Sequence, residues 1–199
     1  MSIASSSISI AILAGGRSSR MGTDKSLLSL QGRPIFEHIL ERLALLSAPI
    51  VIIANDSEKY SHYSFPVFPD VIPNRGSLGG LYSAIYYSPR DYTLCVACDM
   101  PFLNMKLLAY LVSLCGDYDL VVPRVGGVAQ PFHAVYNKTC LSTIHTHLME
   151  GQLQASGFYT SLKVRWVEED EVCELDPMSR SFVNVNTPED YQTIQQLSG

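Results

Sequence analysis

From residue 11 to residue 28 the chain reads AILAGGRSSRMGTDKSLL, with Gly15, Gly16 and Gly22 set among Arg17, Arg20 and Lys25. Glycines leave backbone N–H groups able to approach phosphate oxygens, because no Cβ stands in the way, and the cations supply counter-charge. That mixture suits a polyphosphate. Spacing excludes two common phosphate loops. The P-loop requires G-x-x-x-x-G-K-[ST], whereas five residues separate Gly16 from Gly22 and Lys25 does not directly follow a glycine; G-x-G-x-x-G is also missing.

Further chemistry-bearing residues follow in order. Asp99, in LCVACDMPFL, falls just past an apolar run that Pro101 prevents from continuing. A carboxylate there could bind Mg²⁺ bridging nucleotide phosphates, or simply end the strand or cap the next helix. Asp70 precedes the glycine-rich turn of FPDVIPNRGSLGGLYSAI, and Asn55 ends IIAN; each could equally be an ordinary turn residue. Near the end, FVNVNTPEDY puts Asn184 and Asn186 on one face if the run is a strand, where two amides could hold a polar heterocycle or a phosphate. Asn186 could instead cap the next helix. The five histidines form no rival site: His145 and His147 diverge on a helix, His133 sits in a strand, and no H-E-x-x-H occurs.

These residues need a frame. Strand-like runs recur at 8–13, 49–54, 92–98, 119–123, 130–136, 163–168 and 182–186, with helix-like segments at 34–46, 79–88, 104–115, 138–149 and 187–197. In 34–46 the residues Ile35, Ile39, Leu43 and Leu46 recur at helical spacing behind Pro34 as the first helical residue; for the last helix Thr187 is the expected N-cap, followed by Pro188 and an acidic first turn. Short apolar strands alternating with amphipathic helices predict an α/β fold, a Rossmann-like three-layer domain with a mainly parallel sheet covered on both faces. Ligands of such sheets collect beyond the carboxyl ends of the strands, where the first loop begins. The run Glu168 to Glu171 reads as a solvated face, Trp166 as core or half-buried sheet, and 150–162 as either one broken helix or a mobile flap.

At 199 residues a single domain over 1–199 is expected, with a nucleotide-binding half at about 8–118 and an acceptor half at about 119–199. The formal net charge of −5 argues against broad nucleic-acid binding, yet residues 1–36 carry a local +3, which concentrates positive charge where an anionic substrate would need it. No run approaches the roughly 20 apolar residues of a membrane span, and no basic leader opens the chain. Five cysteines, an odd number, point to reduced thiols and a cytoplasmic protein. Cys95 and Cys98 spell C-x-x-C inside a strand, where residues three apart face opposite sides, so buried small hydrophobes are expected instead of a redox pair or zinc site.

The wording L-A-G-G-x-S-x-R-M-G-x-D-K-x-L resembles the opening signature of the molybdenum cofactor guanylyltransferases, within a nucleotidyltransferase superfamily that also holds cytidylyl and sugar-phosphate enzymes. C-D-M-P-F-L is similar to that family's C-D-x-P-F/Y, Gln130-Pro131 to its H/Q-P segment, and FVNVNTPEDY to its F-x-N-V-N-T-P-E-D/E; the motifs run in order from residue 10 to 191. The turn G-S-L-G-G departs from the family's G-P-L-x-G, since Ser77 stands where proline is usual, which loosens one φ near the base. The resemblance implies transfer of GMP from Mg-GTP to the terminal phosphate of molybdopterin, with release of pyrophosphate. It implies nucleotide contacts from Leu13, Ala14, Gly15, Gly16, Lys25, Asn55, Asp70, Gly80 and Asp99, catalytic roles for Arg20, Lys25 and Asp99, Mg²⁺ on Asp99, and pterin contacts from Gln130, Asn184 and Asn186. The partners it implies are GTP, molybdopterin or the molybdenum cofactor, and proteins that deliver or accept the cofactor, with no nucleic acid or membrane partner and a monomeric chain. A pterin cytidylyltransferase is the nearest rival, though that branch usually has Ala at the position of Gly15. A nucleotide-binding adaptor without catalysis is the rival of another class, and Lys25 and Asp99 count against it.

Overall fold

A computed structural model of the chain describes residues 7–15 and 28–197. Gly16, Arg17, Arg20, Gly22 and Lys25 of the first loop therefore lie outside the described residues. The strands are β1 (Ile8–Leu13), β2 (Ser29–Leu30), β3 (Arg33–Pro34), β4 (Ile50–Ile53), β5 (Val67–Phe68), β6 (Tyr92–Ala97), β7 (Leu120–Val125), β8 (Val128–Ala129), β9 (His133–Asn137) and β10 (Val164–Val167). The helices among the described residues are α1 (Ile35–Ala44), α2 (Gly76–Tyr87), α3 (Met105–Ser113), α4 (Cys140–Met149), α5 (Glu169–Leu175) and α6 (Pro188–Leu197).

The main sheet runs β10-β7-β9-β6-β1-β4-β5, with β8 hairpinned onto β7. All neighbours along that path are parallel except β9, which is antiparallel to both β6 and β7. Period-two alternation divides the side chains between two cores. Ile10 and Ile12, Ile52, and Leu94 and Val96 pack under α1, α3, α5 and α6; Ala11 and Leu13, Val51 and Ile53, and Cys95 pack under α2 and α4. Helices thus cover both faces, as the sequence pattern predicts. Cys95 belongs to one core and Cys98 packs against the other, and burial pushes the Cys95 thiol well above its ordinary range, so the C-x-x-C motif makes no redox pair.

Three expectations need correction. Residues 182–186 form no strand: after a short 3₁₀ turn (Arg180–Phe182) the segment crosses the end of the sheet, where Val185 N donates to Asp99 O at 3.0 Å. The acidic run is solvated at Glu169 and Asp170, as expected, but it also starts α5 and makes ion pairs. Glu168 pairs with Arg124 at 2.5 Å, and Glu171 with Arg165 at 2.5 Å and with the Tyr110 hydroxyl at 2.6 Å, which hold its carboxyl down to about 2. The segment 150–162 contains only a 3₁₀ turn (Tyr159–Ser161), with Phe158 and Tyr159 buried beneath α4. Helix α6 begins as expected: Thr187 Oγ1 accepts from Asp190 N at 3.1 Å while Asp190 Oδ2 accepts from Thr187 N at 2.8 Å, so Thr187 caps the helix.

Candidate active site

Leu13 pairs with Ile53 on one side and Ala97 on the other, so β1, β4 and β6 end at one level. The residues that leave the sheet there, Ala14 and Gly15, Ala54 and Asn55, and Cys98 and Asp99, consequently share one rim. Ala14 N donates to Ile53 O at 2.9 Å and Cys98 N to Leu13 O at 3.1 Å, which extends the ladder one step past each strand. A cavity of about 640 Å³ opens beside β1 and β4, lined in part by Ala14, Gly15, Asn55, Tyr60, Asp70 and Ser77.

A reciprocal pair of hydrogen bonds in its wall joins Asn55 to Asp70. Asn55 Nδ2 donates to Asp70 Oδ2 at 2.8 Å, and Asp70 N donates back to Asn55 Oδ1 at 2.9 Å. Both polar atoms of the amide are thereby used, while Asp70 Oδ1 makes no hydrogen bond among the described residues. A Cβ added at Gly80 would lie 3.3 Å from Leu13 Cδ2, a tight approach, and 3.8 Å from that oxygen, an ordinary contact, so a larger residue on α2 would crowd Leu13. At Gly15 an added Cβ would meet only ordinary contacts, Ile53 O at 3.8 Å and Asn55 Nδ2 at 4.0 Å. The described residues thus leave room for alanine there.

Helix α2 points its N-terminus at the same cavity. Its cap position, Arg75, supplies no side-chain hydrogen bond, so the first N–H groups, at Gly76 and Ser77, face the cavity without a capping side chain. Gly76 takes φ +59° and Asn74 φ +60° to make the turn into the helix. Ser77 costs the loop a fixed φ but adds a hydroxyl to the lining.

The sequence-predicted residues divide by position. Ala14, Gly15, Asn55 and Asp70 line the cavity; Leu13, largely buried, and Gly80 stand directly behind its wall. Asp99 sits at the end of β6 on the same rim but not in the lining, and its backbone oxygen ties down Val185. It does not cap α3, because Asn104 Oδ1 accepts from Lys106 N and Leu107 N. Gln130 lies in the turn between β8 and β9, where its carbonyl accepts from His133 N at 3.1 Å and its side chain donates to Val128 O at 3.4 Å. Asn184 is half-buried, with Oδ1 buried and unpartnered among the described residues, whereas Asn186 is exposed. Gly16, Arg20 and Lys25 are outside the described residues.

A family model described as the MobA-like NTP transferase domain matches residues 10–166. The chain belongs to this family. It is a nucleotidyltransferase. A curated relative from Clostridium perfringens, called a probable molybdenum cofactor guanylyltransferase, is 36% identical over 191 residues, covering 94% of this chain and 95% of its own. One of the same description from Carboxydothermus hydrogenoformans is 31% identical over 190 residues, with 96% of each chain covered. Among solved structures, molybdopterin-guanine dinucleotide biosynthesis protein A from Archaeoglobus fulgidus superposes with a TM-score of 0.84 at 22% identity, over 95% of this chain and 97% of that one. At that identity the likeness speaks for the fold.

Sequence reasoning missed Tyr60 and Lys59. Tyr60 is buried and its hydroxyl donates to Ala14 O at 3.4 Å; Lys59 pairs with Asp56 at 3.2 Å, and all three line the cavity. The turn that carries them (Ser57–Tyr60) follows β4 without periodicity or motif, so nothing in the sequence flagged it.

His133 also passed as an ordinary strand residue. It is fully buried, its ring nitrogens have no partner among the described residues, and it meets Phe182 edge-on with centroids 5.0 Å apart. Burial lowers its pKa from 6.5 to about 4, and nearby Asp176 offsets only part of this. A histidine held neutral in the folded state contributes stability that is full above the unfolded value and is lost as pH falls from about 6.5 to about 4, a loss of up to about 3 kcal/mol. The melting temperature of the wild type should therefore fall across that window, and His133→Leu should flatten the fall. Equal slopes for the two proteins would mean that His133 does not titrate in this way.

Proposed function

We propose that the chain transfers GMP from Mg-GTP to the terminal phosphate of molybdopterin, in molybdenum cofactor biosynthesis and in the cytoplasm. The names of its relatives support the pathway, and the open oxygen of Asp70 supports the base. Guanine offers adjacent N1–H and N2–H donors that a carboxylate can accept together, whereas cytosine opposes its single amino donor with a ring acceptor. Asp70, held by Asn55 through Oδ2, keeps Oδ1 for that edge. Gly15 and the uncapped start of α2 supply backbone donors around the nucleotide, with Leu13, Ala14 and Gly80 shaping the wall and Gly16, Arg20 and Lys25 as the proposed phosphate contacts.

The reaction needs no covalent enzyme intermediate. An acceptor phosphate oxygen attacks the α-phosphorus, the bond to the β-phosphate oxygen breaks, and pyrophosphate leaves with its charge neutralised by the cations of the first loop. The chain's task is alignment and electrostatics. Residues 8–118 would hold the nucleotide and residues 119–199 the acceptor, in one domain. Asp99 is the carboxylate that fits Mg²⁺: a hard oxygen donor on the rim, of the kind that holds this ion together with substrate phosphates. When bound there the ion would offset phosphate charge. Asn184, whose Oδ1 has no partner among the described residues, forms the proposed acceptor side with Gln130 and Asn186.

Two measurements bear on this reading. With Mg²⁺ and molybdopterin, pyrophosphate release from GTP should exceed that from CTP by at least about tenfold, since a site built to accept two donors penalises a base that lacks them. Faster release from CTP would replace the guanylyl assignment with a cytidylyl one. Separately, Asp99→Asn preserves shape but removes the charge that holds the ion, so turnover should fall by about a hundredfold or more with little change in melting temperature. Near-normal turnover would take Asp99 out of the site.

A further inference from the structure

A second cavity, of about 460 Å³, opens between α1, the start of α3, the end of α5 and the turn 176–182. Arg42, Lys106 and Arg180 line it against one carboxylate, Asp176. That is a local excess of two positive charges on a chain of net charge −5. None of the three cations forms an ion pair among the described residues. Asp176 is buried, with Oδ2 engaged by Ser181 N at 2.9 Å, and Arg42 Nη1 is anchored to Leu103 O at 2.8 Å. The Nε of Arg180 is buried with no acceptor among the described residues. Guanidinium and ammonium groups that have no carboxylate partner among the described residues gain charge-assisted hydrogen bonds from an anionic oxygen that enters the cavity.

The start of α3 is not itself the attraction, because Asn104 already satisfies two of its N–H groups. The cations are. Phe102 and Met105 add apolar surface to the lining, and the volume exceeds that of a bare phosphate ion. We propose that this cavity is a second anion site that binds the phosphate group of a small phosphate ester, separate from the cavity walled by Asn55 and Asp70. Two guanidiniums and an ammonium match a phosphate dianion, and the apolar lining takes the carbon body of the ester. Asn104 N donates to Ser181 Oγ at 3.0 Å and Asn104 Nδ2 to Leu175 O at 2.8 Å, so the site lies where residues 102–106 meet residues 175–181. A ligand seated there braces both segments.

This inference stands apart from the guanylyl reading. The test titrates the full chain with inorganic phosphate and with phenyl phosphate by calorimetry, at ionic strength held constant with sodium chloride. Phenyl phosphate should bind at least as tightly as inorganic phosphate. Lys106→Gln, at an exposed position where folding is not at stake, and Arg180→Gln should each weaken binding by about tenfold, and Arg180→Lys by less. Melting temperatures without ligand confirm that the variants fold. GTP titrated into the same variants should bind as it does to the wild type, and a chain that binds phosphate but not GTP would fail the guanylyl reading while leaving this one intact. Unchanged phosphate affinity in both glutamine variants would overturn the proposal. So would phosphate binding no stronger than the chloride control, exclusion of phenyl phosphate, or parallel loss of GTP binding in folded variants.

Discussion

The register of β1 against its two parallel neighbours is the constraint on which the rim depends. Leu13 opposite Ile53 and Ala97 makes three strands end together, and each end releases a residue pair whose side chains or amides can serve a ligand. A slip of one residue would turn every side chain of β1 to the other face, putting Ile10 and Ile12 where Ala11 and Leu13 pack under α2. With both faces of the sheet covered, that error has no cheap accommodation. The register is therefore fixed by burial, and the position of Ala14, Asn55 and Asp99 follows from it.

On that base the Asn55–Asp70 pair does a second job. β5 is only two residues long, and Asp70 lies two positions beyond its end. The reciprocal hydrogen bonds to Asn55 hold the carboxylate in place where the short strand could not, and they orient one oxygen away from the amide. Helix α2 then closes the wall because Gly80 lets it approach Leu13. Charge is arranged sparingly: among the described residues that line the cavity, Asp56 and Asp70 face Lys59 alone. The cations that the sequence supplies in Arg17, Arg20 and Lys25 lie outside the described residues.

Much of the fold was legible because burial is periodic. Strands β1, β4, β6 and β7 and helices α1, α3, α4 and α6 stand within a few residues of their expected limits, since apolar spacing of two or of three to four reports directly on which face is covered. Helix α5 was not legible. Its sequence, EDEVCEL, buries only Val172 and owes its form to charged contacts made with Arg124 and Arg165 on neighbouring strands. FVNVN failed in the opposite direction: Val185 is buried as alternation requires, yet the segment meets a loop at Asp99 and finds no strand to pair with. Of the site, the motif residues Asn55 and Asp70 were legible singly, but their mutual bonding was not, because residues 15 apart in a chain reveal no geometry.

The central claim is that Asp70, fixed by Asn55, reads the base. Asp70→Asn keeps the shape and can retain a bond to Asn55, but one carboxylate oxygen becomes a donor, so guanine loses its paired acceptor. The ratio of kcat/KM for GTP to that for CTP, measured with molybdopterin on wild type and on Asp70→Asn, tests this most directly. The account predicts that the ratio falls by about tenfold or more in the variant, with its melting temperature close to that of the wild type. A ratio equal to that of the wild type in a well-folded variant would contradict it.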